Sequence, residues 1–350
     1  MKSTFPMHPG FSLMELADQR WENFIKSNIE ATIFHHPAWI QVLSDCYGFK
    51  PFIAVVCDNT GNIRAGVPMA GVGGWLTGHR WVSLPFSDYC NPLFDDPIWL
   101  TTLTDGLMQV SREKSVPDVE LRWGFPPTEG ILPVSQFVLH TLRLDRDIEK
   151  VSKEVHRTQY QNVKRAEREG IVIERGKGLE EMRIFYHLQC LTRRRHGLPV
   201  QPWKFFEQLY YQLLERGLGF ILLAKQAERY LAGGVFLCMQ QTLTYKYAAS
   251  DDQEKQFIRS NHLLTWNAIQ WGCNNGFKRF DFGRCDLEDA GLRTFKIRWG
   301  AEESILYYSY FFKPPRQENP SFMPLMQSVI RKSPLWVVTI TGELLYKYFG

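Results

Sequence analysis

The sequence predicts an α/β protein (α+β layers) of two similar domains, each a mixed, largely antiparallel sheet flanked by helices. Its 350 residues exceed the size of most single domains, and 44% hydrophobic residues suffice for two cores. The order helix, helix, antiparallel strands, helix, strand occurs twice along the chain. A short sequence similarity supports the repeat, since residues 65–67 (AGV) and 232–235 (AGGV) fall in the second predicted strand of each antiparallel segment. We therefore expect two copies of one unit.

The first domain is expected to span residues 1–146. A run rich in β-branched residues at 51–57 ends in the turn-forming segment 58–62 (DNTGN), which predicts a hairpin with a strand at 63–72. The other predicted elements are helices at 13–28, 37–47 and 99–114 and strands at 81–84 and 119–123.

The second domain is expected to span residues 147–312, followed by a tail at 313–350. Helical spacing of apolar residues predicts a first helix at 147–169, and Gly217 ends another. The remaining predicted helices are 179–195, 203–216 and 260–275, and the predicted strands are 171–174, 220–224, 231–239, 243–249 and 279–282.

Charge is distributed unevenly. Residues 1–146 carry 11 Lys/Arg and 15 Asp/Glu, a net charge of −4. Because the whole chain has a net charge of +4, residues 147–350 carry a net charge of +8. Such asymmetry indicates that the second part meets an anionic partner: a phosphorylated small molecule, a nucleic acid or an acidic membrane face.

Several function classes are disfavoured by what the sequence lacks. Its seven cysteines are scattered without a C-x-x-C pair, so neither disulfides nor a metal site is expected. Walker, H-E-x-x-H and G-x-S-x-G motifs are missing as well. Because no apolar run is long enough for a membrane span and no signal peptide is recognisable, we expect a cytoplasmic protein, or one that lies peripherally on the inner membrane face.

Five segments together resemble the FemAB-like branch of the GNAT superfamily, including BioF2-like acetyltransferase domains. The resemblance runs over about residues 20–312. The segments are 83–89 (SLPFSDY), 159–170 (QYQNVKRAEREG), 247–251 (YAASD), 280–284 (FDFGR) and 295–300 (FKIRWG). The resemblance implies two tandem GNAT-like domains that transfer an acyl or aminoacyl group to an amine. Members build peptidoglycan bridges from aminoacyl-tRNA or accompany exopolysaccharide genes as acetyltransferases.

The acyl donor stays open between acyl-CoA and aminoacyl-tRNA. The coiled-coil arm of some tRNA-using members is missing, because no heptad repeat occurs here. The pyrophosphate-binding loop of ordinary GNAT enzymes is missing too, since the corresponding residues 257–262 read FIRSNH. We expect acyl-CoA as the co-substrate, with no permanently bound cofactor, no metal and no DNA partner; tRNA is the alternative.

Asp281, Arg284, Lys296 and Tyr247 are the candidate catalytic residues. Acyl transfer needs an uncharged amine, stabilisation of the tetrahedral oxyanion and a proton for the leaving group. Asp281 would orient or deprotonate the amine, and Lys296 would face the developing negative charge. The alternatives are a structural ion pair between Asp281 and Arg284, and a solvated surface lysine.

Two tyrosines and two aspartates are further candidates. Tyr245 and Tyr247 alternate on one strand, which predicts that both hydroxyls share a face and serve the leaving group or the acceptor. Core packing is the competing interpretation. Asp251, just after that strand, is predicted to bind the acceptor or to initiate a turn. In the first domain, Asp88 is assigned to substrate binding through the segment 83–89.

A basic stripe is predicted on the helix at 147–169. It contains Arg157, Tyr160 and Lys164, together with Lys153 and Arg168, and suits phosphate groups, although a solvated helix face is the common alternative. Ser260 and Asn261 are predicted to begin a helix. The free backbone N–H groups at that helix start would form an anion-binding site; the alternative is that the two side chains only cap the helix.

The tail is apolar and basic, and peripheral membrane contact through residues 321–349 is one interpretation; packing against the protein is another.

The primary hypothesis is an N-acyltransferase that moves an acetyl-like group from acyl-CoA to a small-molecule or lipid-linked sugar or peptide precursor of the cell envelope or of an exopolysaccharide. An aminoacyl-tRNA-dependent peptidoglycan-bridge transferase and a non-catalytic module that binds anionic glycans or lipids are the alternatives.

Overall fold

The computed structural model describes residues 10–74, 78–116, 118–125, 130–251, 257–312 and 322–346. Their contacts group them into two compact units. The first contains residues from 10–137 and 305–312, and the second contains residues from 138–304 and 322–346.

The first half of the chain contains three α-helices, one 3-10 helix (Ile33–His35) and seven strands among its described residues. In chain order they are β1 (Phe11–Met14), α1 (Gln19–Ser27), α2 (Pro37–Tyr47), β2 (Lys50–Cys57), β3 (Ile63–Gly74), β4 (Gly78–Val82), β5 (Leu93–Phe94), α3 (Ile98–Glu113), β6 (Asp118–Leu121) and β7 (Ile131–Arg143).

The second half follows with eight α-helices, one π-helix (Tyr210–Leu214) and six strands among the described residues. They are α4 (Ile148–Glu154), α5 (Arg157–Arg168), β8 (Val172–Arg175), α6 (Leu179–His196), α7 (Trp203–Leu209), β9 (Gly219–Gln226), β10 (Arg229–Met239), β11 (Thr242–Ser250), α8 (Phe257–Asn274), β12 (Arg279–Asp286), α9 (Ala290–Ile297), β13 (Glu302–Phe311), α10 (Phe322–Lys332) and α11 (Leu335–Leu345). The limits between the two units fall inside β7 and β13.

Both units repeat one pattern of strand pairing. In the first unit the strands lie in the order β1-β2-β3-β4-β6-β13, and β4 pairs with β6 in parallel, with Trp81 opposite Val119. In the second unit the order is β7-β12-β11-β10-β9-β8, and β11 pairs with β12 in parallel, with Leu243 opposite Phe280. The pairs β2–β3, β3–β4, β9–β10 and β10–β11 are antiparallel. The predicted fold class is therefore confirmed.

Helices cover both faces of the second sheet. A Cβ added at Gly233 of β10 would meet Phe185 and Leu188 of α6, whereas one added at Gly234 would meet Leu264 of α8. Because consecutive strand residues point to opposite faces, α6 and α8 lie on opposite sides of the sheet. The core on the α8 side includes Phe236 and other apolar residues at most 3% exposed, among them Phe220, Ile269 and Phe280.

Local signals set several helix ends as predicted. Helix α2 has Pro37 at its first position and a cap from His36, whose ring accepts a hydrogen bond from Ala38 N at 3.1 Å. Gly48, with φ of +70°, ends it.

Two helix predictions are wrong. Residues 11–14 form strand β1, because they pair with Ile53–Val56 of β2, and the helix begins only at Gln19. The helix predicted at 147–169 is broken at Val155 and His156. His156 caps α5 by accepting from Thr158 N at 3.2 Å, and its own N–H donates to the Arg298 carbonyl at 2.8 Å. Lys153 therefore belongs to a different helix from Arg157.

The last two helices pack on α6. Ile330 of α10 and Val338 of α11 are buried with Cys190 and Val200. Among the described residues, no helix combines the length and apolarity that crossing a bilayer requires.

Candidate functional site

Strand β12 contains a glycine with positive φ, Gly283, three residues before its end at Asp286. Asp281 is 1% exposed, and its carboxylate accepts a hydrogen bond from Gly283 N at 2.7 Å. Gly283 has φ of +68°, a backbone conformation that residues with a Cβ adopt only under strain. The segment FDFGR was expected at a strand end, but the strand continues to Asp286, so the buried carboxylate and the positive-φ glycine lie within β12.

Lys296 contacts the same segment of β12 from helix α9. The helix begins at Asp289, whose side chain accepts from Leu292 N at 2.9 Å, and Lys296 lies in its last turn, 4% exposed. Its Nζ donates to the carbonyl oxygens of Gly283 at 2.7 Å and Arg284 at 3.1 Å. A buried ammonium group needs such partners, because burial without them is costly. The structure therefore brings the ammonium group of Lys296 to the segment of β12 that contains Asp281 and Arg284; their catalytic roles stay predictions.

Arg284 lies near further positive charge. Burial raises the pKa of the Tyr346 phenol, while the positive charges of Arg193 and Arg284 both act to lower it. Arg193 donates to the Pro199 carbonyl at 3.0 Å and to the Tyr346 hydroxyl at 3.3 Å, which are neutral acceptors.

The arginine triplet that ends α6 extends this positive region. Burial lowers the pKa of His196, and Arg195, Arg193 and Arg331 lower it further. Arg195 also donates to the Ser250 carbonyl and hydroxyl at 3.4 and 3.3 Å.

A buried histidine next to Lys296 was missed by the sequence analysis. His140 of β7 is fully buried, and its Nε2 lies 2.9 Å from Oε2 of Glu303, which also accepts two bonds from Arg293 at 2.9 and 2.7 Å. Burial and the charge of Lys296 lower the pKa of His140. Arg293 holds the pKa of Glu303 below its usual value. Because His140 and Glu303 are 163 positions apart, only the fold could reveal this pair.

The predicted shared face of Tyr245 and Tyr247 is wrong. The β10–β11 register shifts between Val235, opposite Tyr247, and Phe236, opposite Tyr245, so Lys246 forms a bulge. Tyr245 stacks on Phe236 on the α8 side, with ring centroids 4.5 Å apart, and burial raises its phenol pKa.

Tyr247 packs on the opposite face of the sheet. Its ring meets Phe205 and Phe206 of α7, with centroids 6.0 and 5.6 Å away. An alternating pattern assigns faces correctly only where the strand has no bulge.

Asp251 is 8% exposed and pairs with Arg229, whose Nη2 lies 2.7 Å from the carboxylate. Both residues line a cavity of about 510 Å³, which Arg183, His187 and Tyr230 also line.

The predicted basic stripe lies on the exposed face of α5. Arg157 and Tyr160 are exposed, and Lys164 forms an ion pair with Glu167 at 3.0 Å. Arg165 pairs with Glu169 at 3.0 Å, so acidic neighbours offset part of this positive charge.

The buried face of α5 carries a polar contact that the sequence did not indicate. Gln159 is 2% exposed, and its Oε1 accepts a hydrogen bond from His262 Nε2 at 2.8 Å. Gln159 Nε2 also donates to the Phe295 carbonyl at 3.1 Å, which ties α5 to α9.

The predicted helix start at Ser260 is wrong. Helix α8 begins at Phe257, so Ser260 and Asn261 lie beyond the free N–H groups of its first turn. Their neighbour Arg259 pairs with Glu169 at 2.7 Å instead. Substrate binding by Ser260 and Asn261 stays a prediction, but an anion-binding site at the helix start no longer supports it.

Asp88 of the first unit belongs to a loop held by hydrogen bonds. Its carbonyl accepts from the Tyr308 hydroxyl at 2.6 Å. Neighbouring Leu84 and Phe86 have φ of +60° and +62°, which is uncommon for residues other than glycine. Arg122, 7% exposed, donates to the Ser87 carbonyl at 2.9 Å.

Within the described ranges, no group of His, Cys, Asp and Glu side chains has metal-binding geometry.

Comparison with protein families identifies the second unit. Residues 153–296 match the family model described as acetyltransferase (GNAT) domain. This part of the chain is therefore similar to GNAT acetyltransferase domains. It contains Asp281, Arg284 and Lys296 as well as the parallel β11–β12 pair. A comparison of the sequence with curated proteins gives no match.

Solved structures share the fold over most of the chain. FemX matches with a TM-score of 0.68 at 15% identity, over 91% of this chain and 100% of its own. L-PGS from Bacillus licheniformis matches with a TM-score of 0.56 at 16% identity, over 91% and 99%. A tandem GNAT protein from the clavulanic acid biosynthesis pathway matches with a TM-score of 0.53 at 8% identity, over 87% and 100%. The FemAB-like resemblance is thus confirmed in fold, and the GNAT domain supports a transferase.

Proposed function

We propose that the protein is a cytoplasmic N-acyltransferase that moves an acetyl-like group from acyl-CoA to an amine of a cell-envelope or exopolysaccharide precursor. One observation carries the proposal: the buried ammonium of Lys296 donates to the β12 backbone two residues after the buried carboxylate of Asp281, inside the segment that matches the GNAT model. GNAT domains generally use acetyl-CoA as co-substrate, which favours acyl-CoA over aminoacyl-tRNA.

The groups at this segment of β12 match the charges that acyl transfer creates. The amine nitrogen attacks the thioester carbonyl, so a C–N bond forms, and the C–S bond breaks when the tetrahedral intermediate collapses. Asp281 orients the amine and accepts its proton, and the ammonium of Lys296 stabilises the oxyanion. In this scheme Tyr247 returns a proton to the departing thiolate, which leaves as coenzyme A.

The arginines around Tyr346 favour an anionic acceptor. Arg193 and Arg284 both act on this phenol, and Arg193 donates only to neutral oxygens among the contacts of the described residues. Guanidinium groups bind phosphate through paired hydrogen bonds. A phosphate-bearing precursor, such as an amine-carrying nucleotide sugar, would place its phosphate at Arg193 and its amine at Asp281.

A matched pair of substitutions tests the site. Asp281→Asn keeps an oxygen that can accept from Gly283 N but removes the base, so we expect kcat to fall by about a hundredfold or more. Asp286→Asn changes an exposed carboxylate of the same strand and should leave kcat unchanged. The assay measures coenzyme A release and product mass with a panel of acyl-CoAs and amine-bearing nucleotide sugars. Equal rates for both variants would remove Asp281 from the mechanism.

The same assay separates the alternative functions. Turnover with aminoacyl-tRNA but with no acyl-CoA would overturn the proposed donor and support a bridge transferase. Binding of anionic glycans without product from either donor would support the non-catalytic module instead.

A further inference from the structure

Helix α11 exposes a stripe of large apolar side chains. Trp336, Ile340 and Leu344 follow one another at intervals of four residues and are 63%, 47% and 64% exposed. Residues at this spacing share one face of a helix. Val329 of the preceding helix α10 is exposed as well, at 56%.

The opposite face of α11 is fixed to the second unit. Val338 is fully buried against Cys190 and Val200, and Tyr346 is 7% exposed next to Arg193. Gly342 lies so close to Val200 that a Cβ at this position would overlap the Val200 carbonyl oxygen. The helix is therefore held with its apolar stripe outward.

Positive charge accompanies the stripe. Arg331 and Lys332, at the end of α10, are exposed, and Glu343 is the one acidic residue between 326 and 346. Arg183 of α6 lies 4.6 Å over the ring of Trp203, and both line a cavity of about 440 Å³ that has Trp336 in its wall. Apolar and cationic groups thus occur together around α11.

We propose that α11 docks the protein on an anionic lipid bilayer, with Trp336, Ile340 and Leu344 inserted at the interface and Arg331 and Lys332 near the lipid phosphates. Helices that lie in the membrane interface combine an apolar face with basic residues in this way.

A second copy of the chain fits the stripe less well. The exposed apolar area of the four side chains is on the order of 400 Å², about half of what each partner contributes to a stable interface. The basic residues beside the stripe would also approach their own counterparts across a symmetric contact.

Vesicle sedimentation tests the proposal independently of acyl transfer, because binding requires no turnover. The wild-type protein should co-sediment with vesicles of one part phosphatidylglycerol to two parts phosphatidylcholine, and less with pure phosphatidylcholine. The double variant Trp336→Ser/Ile340→Ser should lower the partition coefficient by about tenfold or more. Arg331→Gln/Lys332→Gln should lower it by about tenfold on the anionic vesicles only.

Ile98→Ser is the matched control, because Ile98 is 71% exposed in the first unit and should leave binding unchanged. Circular dichroism should show all variants folded, since each changed side chain is exposed. Wild-type protein that stays in the supernatant with both vesicle types would overturn the proposal. So would a double variant that binds as well as Ile98→Ser, or a dimer that the double variant loses while vesicle binding persists.

Discussion

Replacing Lys296 by Met separates a structural from a catalytic role for the buried ammonium. Methionine has a similar length and volume, so the space inside the second unit stays filled. The substitution removes the two hydrogen bonds from Nζ to the carbonyls of Gly283 and Arg284, at 2.7 and 3.1 Å, and it also removes one buried positive charge.

The stability effect should be moderate. Each bond from a charged donor contributes about 1.5–3 kcal/mol, whereas removing a buried charge relieves several kcal/mol of desolvation cost. We expect a net loss of about 2 kcal/mol, which lowers the Tm of a domain of this size by about 4–8 °C. Because globular domains are stable by about 5–15 kcal/mol, the variant stays folded at room temperature.

The catalytic effect should be larger than this change in folding can explain. Loss of a group that stabilises the oxyanion lowers kcat by about a hundredfold or more. Calorimetry should give the Tm, and coenzyme A release well below that temperature should give kcat. Lys177→Met is the control, because Lys177 is an exposed lysine of the same unit. A Lys296→Met enzyme with a lowered Tm and a kcat within about twofold of wild type would refute the catalytic role and leave a structural one.

Three further outcomes follow from the geometry. Gly283→Ala should cost about 1–2 kcal/mol because φ is +68°, whereas Gly291→Ala in helix α9 should be neutral or stabilising, as urea unfolding will show; equal losses would contradict the strain argument. Burial lowers the pKa of His35 to about 4, so as the pH falls the unfolded chain protonates this histidine before the folded chain does. The free energy of unfolding should therefore decrease below pH 6.5, by about 3 kcal/mol at pH 4. His35→Gln should flatten this pH dependence, and an unchanged pH dependence would refute the role of His35. Gly342→Ala should displace α11 from Val200 and expose it to limited proteolysis, and unchanged protection would show that the contact adapts.

Local patterns in the sequence were reliable where one element's own residues decide its structure. The bounds of α2 were predicted without error, because Pro37 begins the helix and Gly48 ends it. The hairpin β2–β3 and the three-stranded segment of the second unit were found from their β-branched runs and turns. The duplicated α/β order and the family segments then indicated the fold class.

The errors occur where a distant part of the chain overrides a local preference. Residues 11–14 become a strand because β2 offers pairing partners, and the break before α5 is fixed by a hydrogen bond from His156 to Arg298. The bulge at Lys246 reverses the face of every side chain beyond it, so Tyr245 and Tyr247 separate. None of these contacts leaves a periodic signal in the sequence.

The candidate site shows the same division. The residue types, a carboxylate in FDFGR and a lysine in FKIRWG, and the two-domain α/β class could be predicted from the amino acids alone. The contacts of Lys296 with the carbonyls of Gly283 and Arg284, and the position of His140 and Glu303 near it, became visible in the folded chain. Burial and pairing depend on which distant groups the fold brings within a few ångströms, and no short segment carries that information.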